Sequence, residues 1–336
     1  MGRSQRRKSG QQPPERDVAS GEGPAQQGLY DPRYEHDACG TGFVAHVKGQ
    51  RSHAIVADAL TVLDNLSHRG ARGAEPNTGD GAGILTQLPH AFFAAEAARL
   101  GFHLPPAGEY GVGMLFLPRD PARRLACERQ LAGLVAAEGH TLLGWRDVPT
   151  DNRALGATAV ASEPVVRQVF IGRGPATGAA GDALAFERAL FVLRRLAERA
   201  IDSPAGGAQV FYVVSLSSRT LVYKGMLLAE QLRDYFPDLS DPRFDSAIAL
   251  VHSRFSTNTF PAWKRAHPNR ILAHNGEINT IRGNVNAIKA RQALFRSDAF
   301  GPDLARVLPV IDEDGTDSAM FDNALEFLVL AGRSLP

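Results

Sequence analysis

Apolar positions are sparse at the start of the chain and then recur with two distinct periods. Residues 1 to about 29 are almost all Gln, Gly, Pro, Ser and charged residues. Such a segment buries too little to offset its ordering entropy, so residues 1–38 are expected to form a disordered leader or propeptide, with order setting in around Tyr30 or Asp31. The first alternating run is CGTGFVAHV, Cys39 to Val47, which predicts a strand with Phe43, Ala45 and Val47 on one face and Cys39 at its leading edge. From Ala54 to Ser67 the period changes: Ile55, Ala59, Leu60, Leu63 and Leu66 form a helical stripe, and Gly70 supplies a stop. A loop with five glycines between Gly70 and Gly83 follows, then strand-like ILTQL and an Ala-rich helix over His90–Leu100.

The remaining chain continues in the same two registers. GVGMLFL, HTLLGW, VVRQVFI, QVFYVVSL, TLVYKGM, AIALVHSRFS and RILAHNGEI read as strands, while Ala122–Glu138, Ala183–Ile201, Asn286–Phe295 and Ser318–Leu330 read as helices. QVFYVVSL and TLVYKGM, separated by three short residues, predict a hairpin. No internal repeat is visible. Many strands with interspersed helices and several close turns predict one layered domain of mixed α and β structure, not a strictly alternating parallel sheet. The sequence ends at Leu335-Pro336 directly after an apolar helix, which suggests a piece of a longer protein.

Composition narrows the function classes. With 44% hydrophobic and 22% charged residues the chain has the make-up of a globular protein. Thirty-seven Lys and Arg against 36 Asp and Glu leave a formal charge of +1, so no global field collects nucleic acid or an anionic membrane. Small molecules and other proteins are the expected partners. Cys39 and Cys127 alone cannot build a disulfide framework, a four-thiolate zinc site or an iron–sulfur cluster, and no metal site is expected. A reducing, cytoplasmic setting fits that usage. No apolar run approaches the ~20 residues that span a bilayer, and the basic start has no apolar stretch behind it.

Four places could carry chemistry. Cys39 reads structurally as a small buried hydrophobe, but Gly40 and Gly42 leave room beside it, and the leader before it is dispensable. Removal of that leader would give Cys39 a free α-amine, placing a nucleophile and its base on one residue. Cys127, on the pattern RRLACERQLAGL, is a core or boundary residue instead. In HSRFSTNTFP, Arg254 is either a surface ion-pair partner or, among small hydroxyl and amide residues, the clamp of a carboxylate pocket. In AHNGEIN, Asn275-Gly276 is either a plain turn or a two-donor site for a tetrahedral oxyanion. In TDSAMFD, Thr316 or Asp317 caps a helix, or the carboxylate holds an ammonium group. GDGAG lacks the lysine and spacing of phosphate-binding loops, so it and the HRG of residues 68–70 are read as pocket-lining loops.

Taken in order, EHDACGTGF, HRG, NTGDGAGI, SRFSTNTFPAW, LAHNGEINTIRGN and DSAMFDNALE resemble the class II glutamine amidotransferases, which are N-terminal-nucleophile hydrolases, and within them the glutaminase domain at the head of the glutamate synthase large subunit. The resemblance runs from about Asp31 to the end of the chain. It implies an α+β fold, a four-layer αββα sandwich over residues 39–336, truncated before the synthase region. It also implies hydrolysis of L-glutamine to glutamate and ammonia. Carried over by residue, Cys39 is the nucleophile with its α-amine as proton shuttle, and Asn275 and Gly276 form the oxyanion hole. Arg254 binds the substrate carboxylate and Asp317 its ammonium, while Arg69 supports the wall and Thr257 lines the carboxylate end. No cofactor is expected in this chain. FMN, an iron–sulfur cluster, 2-oxoglutarate and an NAD(P)H or ferredoxin donor, with a small electron-donor subunit, would belong to the missing region that normally receives the ammonia.

Three other readings compete. Another class II amidotransferase would carry its nucleophile near residue 2 or a different second domain. A non-catalytic glutamine-binding module would keep the pocket without turnover. A papain-like cysteine hydrolase needs a histidine partner, and none of the 10 histidines sits in a motif independent of the glutamine reading.

Overall fold

The computed structural model describes residues 39–175, 177, 184–201, 211–254 and 259–334. The leader expected over residues 1–38, and Thr257, lie outside these residues. In chain order the strands are β1 (Thr41–Ala45), β2 (Ala82–Gln87), β3 (Tyr110–Leu117), β4 (Thr141–Asp147), β5 (Val165–Gly172), β6 (Tyr212–Ser217), β7 (Thr220–Gly225) and β8 (Ile248–Ser253). The helices are α1 (His53–Asn65), α2 (His90–Arg99), α3 (Pro121–Ala137), α4 (Ala157–Ser162), α5 (Ala185–Ala200), α6 (Leu232–Tyr235), α7 (Ile281–Arg291), α8 (Leu304–Val307) and α9 (Asp317–Leu330). The strands form two four-stranded antiparallel sheets, ordered β1-β8-β2-β7 and β4-β5-β3-β6.

Strand β3 shows why two sheets stack and why each is covered by helices. It is buried along its whole length, so both of its faces are dry. Val112, Met114 and Phe116 share one core with Ile84, Val222 and Val251 of the first sheet and Ile55, Val56, Leu60 and Leu63 of α1. Leu115 and Leu117, on the opposite face, join Cys127 and Leu131 of α3 and Leu190 and Leu193 of α5. A period-two strand thus divides its side chains between a sheet–sheet core and a helix–sheet core, which produces the αββα sandwich. A third apolar cluster joins α5 to α7, α8 and α9 through Phe191, Val285, Val307 and Phe327. Cys127 belongs to the second core, as its helical stripe predicts, and burial raises its thiol pKa.

Three expectations are corrected. Phe43, at 67% exposure, and the fully exposed Val47 do not face the core. β1 turns inward through Gly42, where a Cβ would come within 2.5 Å of Val62, so an inward residue without a side chain hides the true buried face from a hydrophobicity reading. QVFYVVSL and TLVYKGM are not a hairpin: β6 pairs with β3 and β7 with β2, in different sheets. The connecting N–H groups are held by side chains, Ser218 N–H donating to Glu187 and Arg219 and Thr220 N–H to Ser217 Oγ, so the turn crosses between layers. RILAHNGEI forms no strand, and its backbone is held in another way, described below.

One buried ion pair ties the second sheet to the segment after β7. Arg146 of β4 donates both terminal nitrogens to Asp238, each at 2.7 Å, while Tyr223 Oη donates to the same carboxylate at 2.7 Å and Gln168 Oε1 accepts from Arg146 at 3.0 Å. Burial opposes the Arg146 charge, but Asp238 outweighs it and its pKa rises. Asp238→Ala removes both carboxylate bonds at the terminal nitrogens and leaves Arg146 with Gln168 and, on Nε at 3.2 Å, Glu96, so chemical denaturation should register a loss of about 1.5–3 kcal/mol; a loss under about 1 kcal/mol would show that the pair does not hold the layers together.

Candidate active site

The site forms where β1, β8 and β2 end side by side. Thr41 stands opposite His252 and Ala82 opposite Ser253, so the residues beyond these pairs leave the sheet together. Backbone bonds continue the alignment: Ser253 N–H donates to Gly40 O at 2.8 Å, Arg254 N–H to Gly81 O at 2.8 Å, and Ala71 N–H to Arg254 O at 3.0 Å. Cys39, Arg254 and the HRG loop are thereby stitched to one edge. Two glycines permit this. A Cβ on Gly40 would lie 2.3 Å from Ser253 O and 2.8 Å from Asn275 Oδ1, and Gly81 adopts φ 146°, in the region that side chains disfavour. Cys39 itself is exposed, with its Sγ accepting from Thr41 N–H at 3.4 Å.

Beside this edge lies a cleft of about 440 Å³ into which Arg69, Arg254, Asn275, Gly276 and Asp317 all project a face. Five positions that sequence reading selected from motifs spread over residues 69 to 317 therefore share one wall system, whereas Cys39 is not among the cleft's lining residues. Arg254 is buried, and its guanidinium donates to Asp80 O at 3.2 Å and to Thr259 Oγ1 at 2.7 Å. Burial lowers its pKa, the Asp80 carboxylate counters this, and the group remains a cation in the neutral range. GDGAG contributes none of the cleft's lining residues, contrary to expectation; it holds Arg254 from behind through Asp80 and Gly81.

The capping question at the start of α9 is settled by geometry. Thr316 is the cap, its Oγ1 accepting from Ala319 N–H at 3.2 Å. Asp317 is released from that task. Its Oδ2 instead accepts from Ile278 N–H at 3.0 Å, and Asp317 lines the same cleft as Arg254.

The segment expected as the strand RILAHNGEI is held on α9 by side chains. Asp322 accepts from Arg270 N–H at 3.2 Å, Ile271 N–H at 2.8 Å and Leu272 N–H at 3.1 Å. Ser318 Oγ lies 2.9 Å from His274 Nδ1, and Asp317 takes Ile278. Asn275 and Gly276 sit between these attachments. Sequence reading missed Thr259, His252, His267, Ser318 and Asp322. Of these, His252 carried a usable signal, since it lies two residues before Arg254 on a strand and so shares its face.

Four histidines, His68, His252, His267 and His274, line the cleft. His252 and His267 are buried with ring centroids 4.6 Å apart. Burial pulls the His252 pKa down to about 4, with the Arg254 charge adding to the effect, and burial followed by its neighbours' charges holds His267 well below the usual range. The Asn275 amide and the His274 backbone lie near the His252 ring and partly favour its charged form, yet neither ring nitrogen has a partner of good hydrogen-bond geometry. Both rings are neutral at pH 7 and can neither compete with Arg254 for an anion nor repel a cation. Deeper in, burial and the Arg270 charge bring Lys224 down to about 7.

Comparison with known proteins places this geometry in a family context. The model of the class-II glutamine amidotransferases matches residues 39–336. The chain is 51% identical over 310 residues to "Glutamate synthase [NADPH] large chain" of Bacillus subtilis, covering 92% of this chain and 20% of that protein. It is 46% identical over 313 residues to "Glutamate synthase [NADH]" of Schizosaccharomyces pombe, covering 92% and 14% respectively. It is 40% identical over 300 residues to "Ferredoxin-dependent glutamate synthase 2, chloroplastic" of Arabidopsis thaliana, covering 89% and 18%. The chain thus spans about a fifth of these relatives' length or less.

The neutral His252 makes a pH prediction. Its folded pKa lies below the unfolded value of about 6.5, so its contribution to stability is fully present above pH 6.5 and is lost as pH falls from 6.5 through 4. At about 1.4 kcal/mol per unit this is on the order of 3 kcal/mol, and His252→Gln should flatten the stability profile across that window. Urea denaturation at a series of pH values tests this; parallel profiles for the two proteins would refute it.

Proposed function

Because the chain belongs to the class-II glutamine amidotransferases, we propose that its cleft hydrolyses L-glutamine with Cys39 as nucleophile. The observation that carries this reading is that Arg254, Asn275, Gly276 and Asp317 line one cleft, while Gly40, the residue after Cys39, packs against the Asn275 side chain. An Arg and a carboxylate lining one cleft suit the two charged poles of a free amino acid. Glutamine's α-carboxylate is held by Arg254, with Thr257 and Thr259 at that end and Arg69 in the wall, and its α-ammonium by Asp317. The side-chain amide is then directed toward Cys39.

The chemistry balances with these groups and water, so this domain's reaction is proposed to need no cofactor or metal. Removal of residues 1–38 frees the Cys39 α-amine, whose reference pKa near ~8 suits a base at neutral pH. The amine takes the thiol proton as sulfur attacks the amide carbon. The oxyanion accepts from the Asn275 side-chain amide and Gly276 N–H. The tetrahedral species collapses, the C–N bond breaks, and the proton returns to the leaving nitrogen as ammonia. A thioester remains, and water, deprotonated by the same amine, cleaves it to glutamate and free thiol. That the family match begins at Cys39 supports this assignment of the mature N-terminus.

We further propose that the whole protein is a glutamate synthase large chain, in which ammonia passes to a synthase region acting on 2-oxoglutarate with FMN and an iron–sulfur cluster. The relatives' names include NADPH, NADH and ferredoxin, and NAD(P)H or ferredoxin, with a small electron-donor subunit, would supply that region. Two unpaired cysteines and a thiol-dependent reaction suit a reducing, cytoplasmic compartment. No described helix is long and apolar enough to cross a membrane.

The oxyanion assignment gives the sharpest test of the site. Asn275→Ala should lower kcat for glutamine hydrolysis by about 100- to 1,000-fold and leave KM nearly unchanged, because the lost interaction strengthens only in the transition state. Steady-state kinetics on folded protein check this. An effect confined to KM would remove Asn275 from the oxyanion role.

A further inference from the structure

Asp322 does not line the cleft, yet it is fully buried on α9, five residues beyond Asp317. A buried carboxylate needs several donors, and Asp322 finds them in three consecutive backbone N–H groups, those of Arg270, Ile271 and Leu272. These donors lie in no strand. A return bond from Asn269 N–H to Leu272 O, 2.9 Å, closes the turn around the carboxylate. Behind it the Arg270 guanidinium is fixed by Glu198 at 3.1 Å and Val213 O at 2.8 Å, so the anchored segment is braced from α5 and β6 as well.

Only Ala273 and His274 separate this anchor from Asn275. On the far side, Ile278 N–H is held by Asp317, and His274 is met by Ser318, which lies four residues before Asp322 on the same helical face. Asn275 and Gly276 are therefore suspended between two attachment points on one helix. An extended loop without a ladder would otherwise let its side chains wander, and oxyanion stabilisation depends strongly on donor placement.

We propose that Asp322 is a positioning residue whose buried charge sets the placement of the Asn275 and Gly276 donors through the backbone of residues 270–272. This rests on the glutaminase reading above, and the test separates the two. Asp322→Asn, close in size, keeps one acceptor oxygen but loses the charge and turns an amide N–H₂ toward a backbone donor; Asp322→Ala removes all three bonds. Both are made in the full chain, assayed for glutamine hydrolysis, and examined by amide hydrogen exchange.

In the Asn variant kcat should fall on the order of tenfold to 100-fold while KM stays within about threefold, with a larger fall in kcat for Ala. Amides from Arg270 to Gly276 should exchange faster in the Asn variant while strands β2, β3, β5 and β8 keep their protection. Three results would overturn the proposal: unchanged kcat in a folded Asn variant, protection lost uniformly across the domain with activity falling in proportion, or failure of even the Asn variant to fold. If wild-type protein with an N-terminal Cys39 hydrolyses no glutamine, the glutaminase reading fails. The exchange arm then still decides whether Asp322 fixes the loop.

Discussion

Backbone polar groups beside a cleft must be satisfied without a strand partner, and in this protein helix α9 performs that service for residues 270–278. A sheet edge would satisfy the same N–H groups, but it would also place their side chains in strict alternation and pair the chain with a neighbour. Side chains of α9 do it differently. Asp322, Ser318 and Asp317 reach across at successive levels, so the loop needs no strand partner where Asn275 and Gly276 line the cleft. The helix in turn owes its place to the apolar cluster of Phe327 and Leu330 with Phe191, Val192 and Val285, and to a buried ionic contact in which Arg194 of α5 meets both Glu198 and Glu326. The placement of Asn275 and Gly276 is thus tied to the packing of a helix layer.

The opposite wall follows from the sheet. Antiparallel pairing of β1, β8 and β2 brings three chain ends to one edge, and backbone bonds past the last ladder pair carry the alignment into Gly40, Gly81 and Arg254. Small residues are required there because the backbones touch. The buried, neutral His252 and His267 line the cleft beside Arg254 and add no second positive charge to it. Burial strengthens such a pole toward a carboxylate.

Much of this was legible in the chain. The stripe on α1, the existence of strand β3 and the core position of Cys127 follow from the hydrophobic pattern, because side-chain burial dictates it. Arg69, Arg254, Asn275, Gly276 and Asp317 were found through motif order, and the fold gathers all five. What was not legible has a physical cause in each case. Gly42 hides the buried face of β1, since a residue without a side chain leaves no hydrophobic signal. A short polar link between two apolar runs reads the same whether the strands pair or, as in β6 and β7, pass between sheets. RILAHNGEI looks like a strand because it opens on a short apolar run, Ile271 to Ala273, and only a carboxylate some 50 residues further along, Asp322, says otherwise. Contacts at that separation leave no local trace.

The account stands or falls on Cys39 as a mature N-terminal nucleophile. Catalytically active protein should be incubated with an electrophilic diazoketone analogue of glutamine, digested and mapped by mass spectrometry. A single adduct on the sulfur of Cys39, in a peptide that begins with Cys39 and retains a free α-amine, with Cys127 unmodified, is the predicted result. Active protein that still carries residues 1–38, or inactivation that tracks an adduct on any other residue, would contradict it.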